Sequence, residues 1–257
     1  MKKLLKFLYL GSLKIAKKLL KIFCLIIFIC TLYEVIRIIV QVNETILPSV
    51  NSIRISFIEN WKILFYNLSY TLLETVLGLL LVIIFATILA VFINEYQVIK
   101  KYLLKLIYII QMIPLIAIAP LILIWLGYGI TSKLILIVFY CSFVIIINLV
   151  ESFENISISH KLYLQTLTTN KFKLYKYLYF PLAYEQFFAG IKVATTYGLV
   201  CGITSEYLGA KYGIGVLLNR AYASYQTDLV FSILIIIVIV TFIMLKIVDL
   251  LQRKIRS

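Results

Sequence analysis

The sequence predicts an all-α membrane protein, a polytopic bundle of about six transmembrane helices. Of the 257 residues, 63% are hydrophobic and only 14% are charged, and the mean hydropathy is +1.05. A soluble chain of this length needs more polar and charged side chains to cover its surface. The apolar residues are also grouped into runs of the roughly 20 residues that a helix needs to cross a bilayer. Lipid is therefore the expected solvent for most of the chain.

Six apolar segments are long enough to cross the hydrocarbon as helices. They lie near residues 22–42, 66–94, 103–126, 131–151, 187–207 and 229–250. The first segment resembles a secretory signal because seven lysines precede it. Its apolar run is too long for a signal, however, and no small-residue cleavage site follows it. We therefore expect it to remain as a membrane span.

The distribution of lysine and arginine predicts the orientation of these segments. If both termini are cytoplasmic, the cytoplasmic segments carry 18 Lys and Arg residues and the external segments carry five. Membrane proteins show such an excess in their cytoplasmic loops. The formal net charge of +14 would also suit nucleic acid, but beside membrane spans attraction to anionic lipid is the simpler explanation. We expect a multi-pass protein with both termini in the cytoplasm, membrane lipid as a partner and no nucleic acid.

The chain contains few residues of the types that act in catalysis or bind metals. There is one histidine, His160, and the cysteines show no metal-ligand or disulfide spacing. The sequence contains no G-x-x-x-x-G-K-[ST] motif and no plausible pair of nucleophile and base. We therefore expect no cofactor, no metal and no catalytic residues, and a membrane-anchored enzyme has no feature in its favour. The four cysteines are Cys24, Cys30, Cys141 and Cys201.

Two prolines six residues apart interrupt the third apolar segment, "PLIAIAPLILIWLGYGI". A proline frees a backbone carbonyl in the preceding turn, and in lipid that carbonyl needs a partner from protein or from a water-filled cavity. We expect Pro114 and Pro120 to bend a helix that borders a pathway, with Gln111 offering a polar group to it. The alternative is a kink that serves packing alone.

The same segment ends in features of a membrane surface. Trp125 is expected at the outer headgroup level, where aromatic side chains anchor helices. Gly127 and Gly129 are expected to form a tight external turn before a helix that begins at Ser132. This boundary would separate the third span from the fourth.

The segment 152–184 is the largest part of the chain predicted outside the membrane, on the cytoplasmic side. Asn170 is a suitable N-cap for a helix, and Pro181 is expected to bend or stop that helix. The apolar residues after Asn170 share a face at helical spacing, with lysines between them. Either the helix rests on lipid headgroups or it docks a cytoplasmic partner. The residues of this face are Phe172, Leu174, Tyr175, Leu178 and Tyr179.

Two carboxylates fall at membrane depth, where an unpaired charge is costly. Glu74 either lines a pathway, pairs with a basic group from another helix, or lies close enough to the outer surface to be hydrated. Glu206 lies at the outer end of the fifth span, before the glycine-rich sequence "YLGAKYGIG". It is either part of an outer gate or a solvated helix end.

Four motifs in the right order resemble those of a known family. The third span matches "P-x-x-A-x-x-P-L-x-x-x-W-F-G-x-G-x-x-S-K" with one difference, Leu126 in place of Phe. The cytoplasmic segment aligns with "G-A-S-x-x-x-x-F-x-x-V-x-L-P" from Thr168 to Pro181. "G-[IL]-[RK]-x-A" begins at Gly190, and a Glu followed by "G-x-x-x-G-[LI]-G" corresponds to Glu206 and the glycines after it. "LPS" at 47–49 is similar to the family's entry to its core.

These motifs resemble permease subunits of binding-protein-dependent ABC importers. The likeness is to the branch that carries sulfonates, taurine, nitrate or the hydroxymethylpyrimidine thiamine precursor. It implies a transport subunit rather than an enzyme, in the bacterial plasma (inner) membrane, that forms a pathway for a small solute. It also implies a cytoplasmic ABC ATPase, an extracellular or periplasmic solute-binding protein and a permease homodimer. The bundle would then carry a cytoplasmic coupling helix.

The resemblance assigns residues to two roles. The residues expected to couple the permease to the ATPase are Thr168, Thr169, Asn170, Phe172, Leu174, Tyr175, Leu178, Phe180 and Pro181. The candidates for the pathway or its gate are Glu74, Gln111, Pro114, Pro120 and Glu206. Where the family has a Glu-Ala-Ala stretch and a Gly in the coupling loop, this chain has Leu162, Tyr163, Leu164 and Thr168.

The resemblance also divides the chain into three parts. Residues 1–64 form a basic cytoplasmic tail, the first span and an external segment. Residues 65–250 form a five-helix permease core that contains the coupling loop 152–184, and 251–257 are a basic cytoplasmic tail. The alternative from another class is an ion-coupled secondary carrier that uses Glu74 and Glu206. Against it stand the amphipathic cytoplasmic loop and the lack of paired broken helices in two halves.

Overall fold

The computed structural model describes residues 28–41 and 43–256, together with Cys24, and all elements in these residues are helical. The all-α prediction is confirmed. The helices are α1 (28–40), α2 (Val50–Glu95), α3 (Gln97–Gln111), α4 (Leu115–Leu126), α5 (Ile130–Glu154), α6 (Ile158–Leu167), α7 (Lys171–Leu174), a π turn (Tyr175–Tyr179), α8 (Phe180–Tyr207), α9 (Ile214–Ala223) and α10 (Thr227–Arg256).

Within residues 28–41 and 43–256, four helices are long and apolar enough to cross a membrane. They contain four of the six expected spans, namely 66–94, 131–151, 187–207 and 229–250. The expected first span, 22–42, lies partly outside the described residues, and α1 covers its second half. The four helices are α2, α5, the continuous run Lys171–Tyr207 and the run Thr227–Ile255.

The start of α2 lies well before its expected membrane-crossing part. Ser49 is the N-cap, and its hydroxyl accepts a hydrogen bond from the Ser52 amide over 3.1 Å. From there α2 continues for 46 residues. The boundary expected between residues 64 and 65 therefore falls within one helix.

The expected third span, 103–126, is two helices rather than one. The axes of α3 and α4 differ by 97° across a short break. Pro114 is the N-cap of α4 and has extended backbone angles, φ −62° and ψ 134°. Pro120, in contrast, lies inside α4, which continues past it. The two prolines therefore differ in effect, because only Pro114 lies at the break.

The contacts of α5 with its neighbours show that α2 and α5 are parallel. Glu74 meets Lys133 near the start of α5, and a side chain at Gly78 would meet Ile137 one turn later. At the other end, Glu154 pairs with Lys100, which follows α2 closely. About 30 Å of helix lies between these two levels, close to the thickness of bilayer hydrocarbon. The chain must return across this thickness between α2 and α5, so α3 and α4 together form one broken span.

The helix α8 is antiparallel to both α2 and α5 and packs against both of them. Added Cβ atoms at Gly198 and Gly202 would meet Leu79 and Thr75 of α2, 3.2 Å away in each case. An added Cβ at Gly190 would lie 3.2 Å from the Cα atom of Ile145 in α5. Small residues at such positions let helix backbones approach closely in membranes.

We call the two ends of the bundle the Glu206 end and the Glu95 end, after a glutamate that lies at each of them. The Glu206 end holds the turn between α4 and α5 and the link between α8 and α9. In that turn Gly127 has φ +79°, which favours glycine. The helix α5 begins at Ile130 with Gly129 as N-cap, so the expected start at Ser132 is wrong by two residues; the Ser132 hydroxyl instead donates to the Gly129 carbonyl. The Glu95 end holds α6, α7 and the π turn.

The helix that follows Asn170 differs from expectation at its C-terminal side. The Asn170 side chain accepts hydrogen bonds from the amides of Phe172 and Lys173, so the predicted N-cap is confirmed. The helix does not stop at Pro181, however. The π turn precedes it, with the Phe180 amide bonded to the Tyr175 carbonyl, and α8 then continues to Tyr207. Proline is tolerated in the first turn of α8, where a missing amide proton costs little.

We expect Gly190→Leu to destabilise the bundle by about 1–3 kcal/mol, because the added side chain meets the fixed backbone of Ile145. Thermal unfolding of the purified protein in detergent measures this effect. Gly129→Ala is the matched control, since an added Cβ there meets nothing within 4 Å. Equal melting temperatures for Gly190→Leu and the unsubstituted protein would contradict the packing described above.

Candidate functional site

The expected site residues lie at opposite ends of the bundle. Glu74 and Glu206 lie at the Glu206 end, on α2 and α8. The expected coupling residues lie at the Glu95 end, between α6 and the start of α8. The two groups are joined by the single helical run Lys171–Tyr207, which contains 37 residues.

The Glu206 carboxylate is buried and caps the N-terminus of α9. Its Oε2 atom accepts a hydrogen bond of 2.8 Å from the Gly215 amide, and its Oε1 atom accepts one of 2.7 Å from the Thr71 hydroxyl. Free amides and the helix dipole make a helix N-terminus favourable for a negative charge. The prediction of a solvated helix end is therefore wrong.

The helix α2 also holds the N-terminus of α9. The Thr71 hydroxyl accepts a hydrogen bond of 2.9 Å from the Ile214 amide. The side-chain Oδ1 atom of Asn67 accepts one of 3.0 Å from the Gly213 amide. Together with Glu206, these side chains satisfy three successive amides that the helix itself leaves unpaired. The cluster thus ties α2, α8 and α9 together.

The glycines after Glu206 are required by this close approach. An added Cβ at Gly213 would lie 2.2 Å from the Glu206 Cδ atom, and φ at Gly213 is +127°. An added Cβ at Gly215 would lie 2.2 Å from the Ile203 carbonyl oxygen. The sequence "YGIG" therefore has a direct physical reason, which is room for the carboxylate and the neighbouring backbone.

Glu74 pairs with a basic group from another helix, one of the alternatives that the sequence left open. The Lys133 Nζ atom lies 2.7 and 2.8 Å from the two Glu74 oxygens. The exposed fractions are 6% for Glu74 and 5% for Lys133, so neither charged group has much contact with solvent. The sequence alone did not identify Lys133 as this partner. Its position in the second turn of α5, just below a membrane surface, was the available signal.

The other pathway candidates lie on the broken span. Gln111 ends α3, Pro114 precedes α4 and Pro120 lies within α4. In the described part of the chain, no hydrogen bond joins Gln111 to Glu74 or Glu206. These three candidates therefore lie on different helices from Glu74 and Glu206.

At the Glu95 end, the expected coupling residues attach to α2 through Tyr175. The Tyr175 hydroxyl donates to Glu95 Oε1 over 2.9 Å and accepts a hydrogen bond of the same length from Asn94 Nδ2. Lys171 forms an ion pair with the same Glu95 carboxylate. Since Asn94 and Glu95 end α2, these contacts fix the segment to that helix.

Aromatic packing attaches the same segment to α5. The Phe153 ring meets the rings of Tyr175, Tyr179 and Phe180 edge-on, at centroid distances of 5.7, 5.4 and 5.8 Å. Such edge-to-face pairs stabilise beyond the area they bury. Leu178 is also buried here. The inner face of the segment is therefore firmly packed.

The outer face of the segment is apolar and exposed. Of the apolar face predicted after Asn170, Phe172 points outward and is 75% exposed, unlike the buried Tyr175 and Leu178. Most of the exposed apolar residues lie on α6, which sequence analysis treated mainly as a departure from a motif. We call these side chains the exposed patch; exposed apolar groups of this size on a surface helix mark a contact with a partner or a membrane. This patch consists of Ile158, Leu162, Tyr163, Leu167 and Phe172.

We expect Lys133→Met alone to destabilise the protein by about 3–5 kcal/mol, because it leaves the Glu74 carboxylate buried without a cation. The double substitution Glu74→Gln with Lys133→Met removes both charges and should recover more than half of that loss. Thermal unfolding in detergent again measures both variants. A double variant no more stable than Lys133→Met would contradict the buried ion pair.

Known proteins show the same architecture and sequence pattern. A solved structure titled "Crystal structure of an amino acid ABC transporter with histidines" superposes with a TM-score of 0.60 over 78% of this chain and 97% of that one, at 16% identity. This likeness supports the fold alone. It agrees with the helical membrane bundle described above.

Three relatives resemble the chain in sequence. A "Probable ABC transporter permease protein" of Haemophilus influenzae is 28% identical over 86% of this chain and 90% of its own length. The "Riboflavin transport system permease protein RibX" of Chloroflexus aurantiacus is 27% identical over 51% and 49%. The "Formylaminopyrimidine transport permease protein ThiX" of Halalkalibacterium halodurans is 27% identical over 73% and 75%.

A family match covers the broken span, the exposed segment, and Glu206 with the glycines that follow it. It extends over residues 82–257, which is more than half of the chain. The family is described as "Binding-protein-dependent transport system inner membrane component". The chain belongs to this family and is an ABC transporter permease of the binding-protein-dependent kind.

Proposed function

We propose that the chain forms the substrate pathway of an ABC importer and couples it to a separate ATPase through the segment 161–180. The observation that carries this proposal is the two-faced geometry of the segment. Its inner face is bonded to α2 and packed on α5, whereas its outer face is apolar and exposed. A surface helix that only rests on headgroups would not need such firm attachment to two spans.

The run Lys171–Tyr207 is the proposed lever. Its 37 residues give a helix about 55 Å long, which reaches from the exposed patch to Glu206. A displacement of the patch by the ATPase would therefore reach the N-terminus of α9 through one rigid element. Alternating access between inward-open and outward-open states is the kind of change such a displacement produces. In this proposal Thr168, Thr169 and Asn170 connect α6, which carries most of the exposed patch, firmly to the start of the lever.

Two kinds of pathway residue are proposed. Gln111, Pro114 and Pro120 border the pathway, because a broken span is tolerated in lipid only where protein or water covers its free backbone groups. Glu74 and Glu206 act at the outer gate by holding helices together, since both are bonded to protein groups. Their role is therefore structural during the transport cycle rather than contact with the solute.

The partners follow from the same proposal. A second copy of the chain completes the pathway, and two ATPase subunits bind the exposed patches. A solute-binding protein delivers the solute to the Glu206 end, including residues 206–228. The charge distribution supports an orientation with both termini cytoplasmic, and the family description supports a location in the bacterial plasma (inner) membrane. The division into 1–64, 65–250 and 251–257 stays part of this proposal.

The proposed solute is a small molecule of the thiamine-precursor type. The relatives named for formylaminopyrimidine and riboflavin support a planar nitrogen heterocycle. Sulfonate and nitrate remain the alternatives in this proposal, because importers of this kind take much of their specificity from the separate binding protein. Calorimetry on the binding protein encoded beside this chain identifies the solute directly.

The hydrogen bonds and ion pair of Glu74 and Glu206 argue against an ion-coupled carrier. Such a carrier needs a carboxylate that is free to bind and release an ion during each cycle. Glu74 is occupied by Lys133, and Glu206 by backbone amides and Thr71. An importer driven by ATP predicts uptake that survives an ionophore and stops when cellular ATP is depleted. The opposite pattern would support the carrier.

We expect Leu162→Glu combined with Tyr163→Glu to reduce uptake at least tenfold, because two charges replace apolar contacts at the proposed ATPase interface. Folding should be unaffected, since these side chains are 57% and 66% exposed. The measurements are uptake in cells and co-purification of the ATPase with the permease.

Tyr102→Glu is the matched control for this double variant. Tyr102 lies at the same end of the bundle, on α3, and is 68% exposed. It should keep both uptake and co-purification. Normal uptake in the double variant, with the protein still present in the membrane, would refute the coupling role of α6.

A further inference from the structure

A groove of about 690 Å³ runs beside the π turn at the Glu95 end. We call it the lysine groove. Its walls come from the last turns of α2 on one side and from α7, the π turn and the start of α8 on the other. The lining residues are Thr87, Ile88, Val91, Glu95, Lys171, Phe172, Tyr175, Lys176 and Phe180.

The lysine groove is apolar in its depth and charged at its rim. From Glu95 at the rim to Thr87, α2 advances by about 12 Å. Half the hydrocarbon thickness of a bilayer is about 15 Å. The groove therefore extends from the expected headgroup level well into the hydrocarbon, and its deep wall is made by Ile88 and Val91.

The charge at the rim is positive after internal pairing. Glu95 is compensated by Lys171 and receives a second hydrogen bond from the Tyr175 hydroxyl. Lys176 lies over the ring of Tyr177, 5.4 Å from its centroid. Among the ion pairs of residues 28–41 and 43–256, none includes Lys176. One ammonium group is thus available to an anion, and a second, Lys171, is close by.

We propose that the lysine groove binds an anionic phospholipid. The phosphate lies between Lys171 and Lys176, and one acyl chain lies along Ile88 and Val91. A free phosphate would leave the apolar wall unused, and a neutral lipid would leave the positive rim uncompensated. Only a molecule with a charged head and an apolar chain uses both parts of the groove.

The bound lipid would act on the segment proposed to move. Lys171 and Lys176 flank the helix turn that carries Tyr175, and a lipid held between them would tie this turn to the inner leaflet. The binding itself does not depend on the proposed transport function. A failure of one proposal therefore leaves the other standing.

A tryptophan reporter in the groove tests lipid binding directly. The native tryptophans, Trp61 and Trp125, are replaced by phenylalanine, and Ile88→Trp places the single reporter on the apolar wall. The full-length protein is reconstituted into phosphatidylcholine vesicles. Part of the lipid is replaced by phosphatidylglycerol or by phosphatidylcholine with brominated chains, which quench tryptophan fluorescence on contact.

We expect brominated phosphatidylglycerol to quench the reporter with an apparent affinity about fivefold higher than brominated phosphatidylcholine, or more. This is the change that roughly 1 kcal/mol of attraction gives, as expected for the one lysine at the rim, Lys176, that Glu95 does not compensate. Lys171→Gln combined with Lys176→Gln should abolish the preference and keep the quenching by phosphatidylcholine, which reports a folded and lipid-accessible groove. Added inorganic phosphate should not compete.

Lys173→Gln is the matched control, because Lys173 lies on the same short helix but does not line the groove. It should retain the preference for phosphatidylglycerol. Equal quenching by both lipids would overturn the proposal, as would a preference that survives the double substitution. Absence of quenching by either lipid would also overturn it, since protein would then cover the groove.

Discussion

The parallel packing of α2 and α5 is the constraint on which the rest of the structure depends. Two consecutive long crossings in the same direction force the chain to return between them, and α3 and α4 do so as a broken span. The antiparallel α8 then packs against both α2 and α5, where glycines at 190, 198 and 202 allow close approach. This arrangement decides which residues share an end of the bundle.

The membrane setting explains why the buried charges are fully bonded. Glu74 faces Lys133, and Glu206 faces the first amides of α9. Each carboxylate therefore accepts from protein groups the hydrogen bonds that water would otherwise donate. Both contacts join helices that are distant in sequence. The polar groups at the Glu206 end therefore hold neighbouring helices together. At the other end, the hydroxyl of Tyr175 and the ring of Phe153 serve the same purpose for the segment that leaves the membrane.

Sequence alone predicted what depends on local composition. The apolar runs gave the long helices, Asn170 was recognised as a cap, and the glycine-rich sequence after Glu206 was recognised as special. It missed what depends on tertiary contacts. The different effects of Pro114 and Pro120 depend on what packs around α4, and the helix passes through Pro181 because a π turn precedes it. Lys133 could not be assigned to Glu74 without knowing that α2 and α5 are parallel.

The proposed transport mechanism requires that the segment between α5 and α8 faces the cytoplasm while the link between α8 and α9 faces outward. Cysteine labelling tests it most directly, in a background in which the four native cysteines are replaced. Lys211→Cys should react with a membrane-impermeant maleimide in intact cells, whereas Lys173→Cys should react only after the cells are permeabilised. Modification of Lys173→Cys in intact cells would place this segment outside the cell and refute its coupling to a cytoplasmic ATPase.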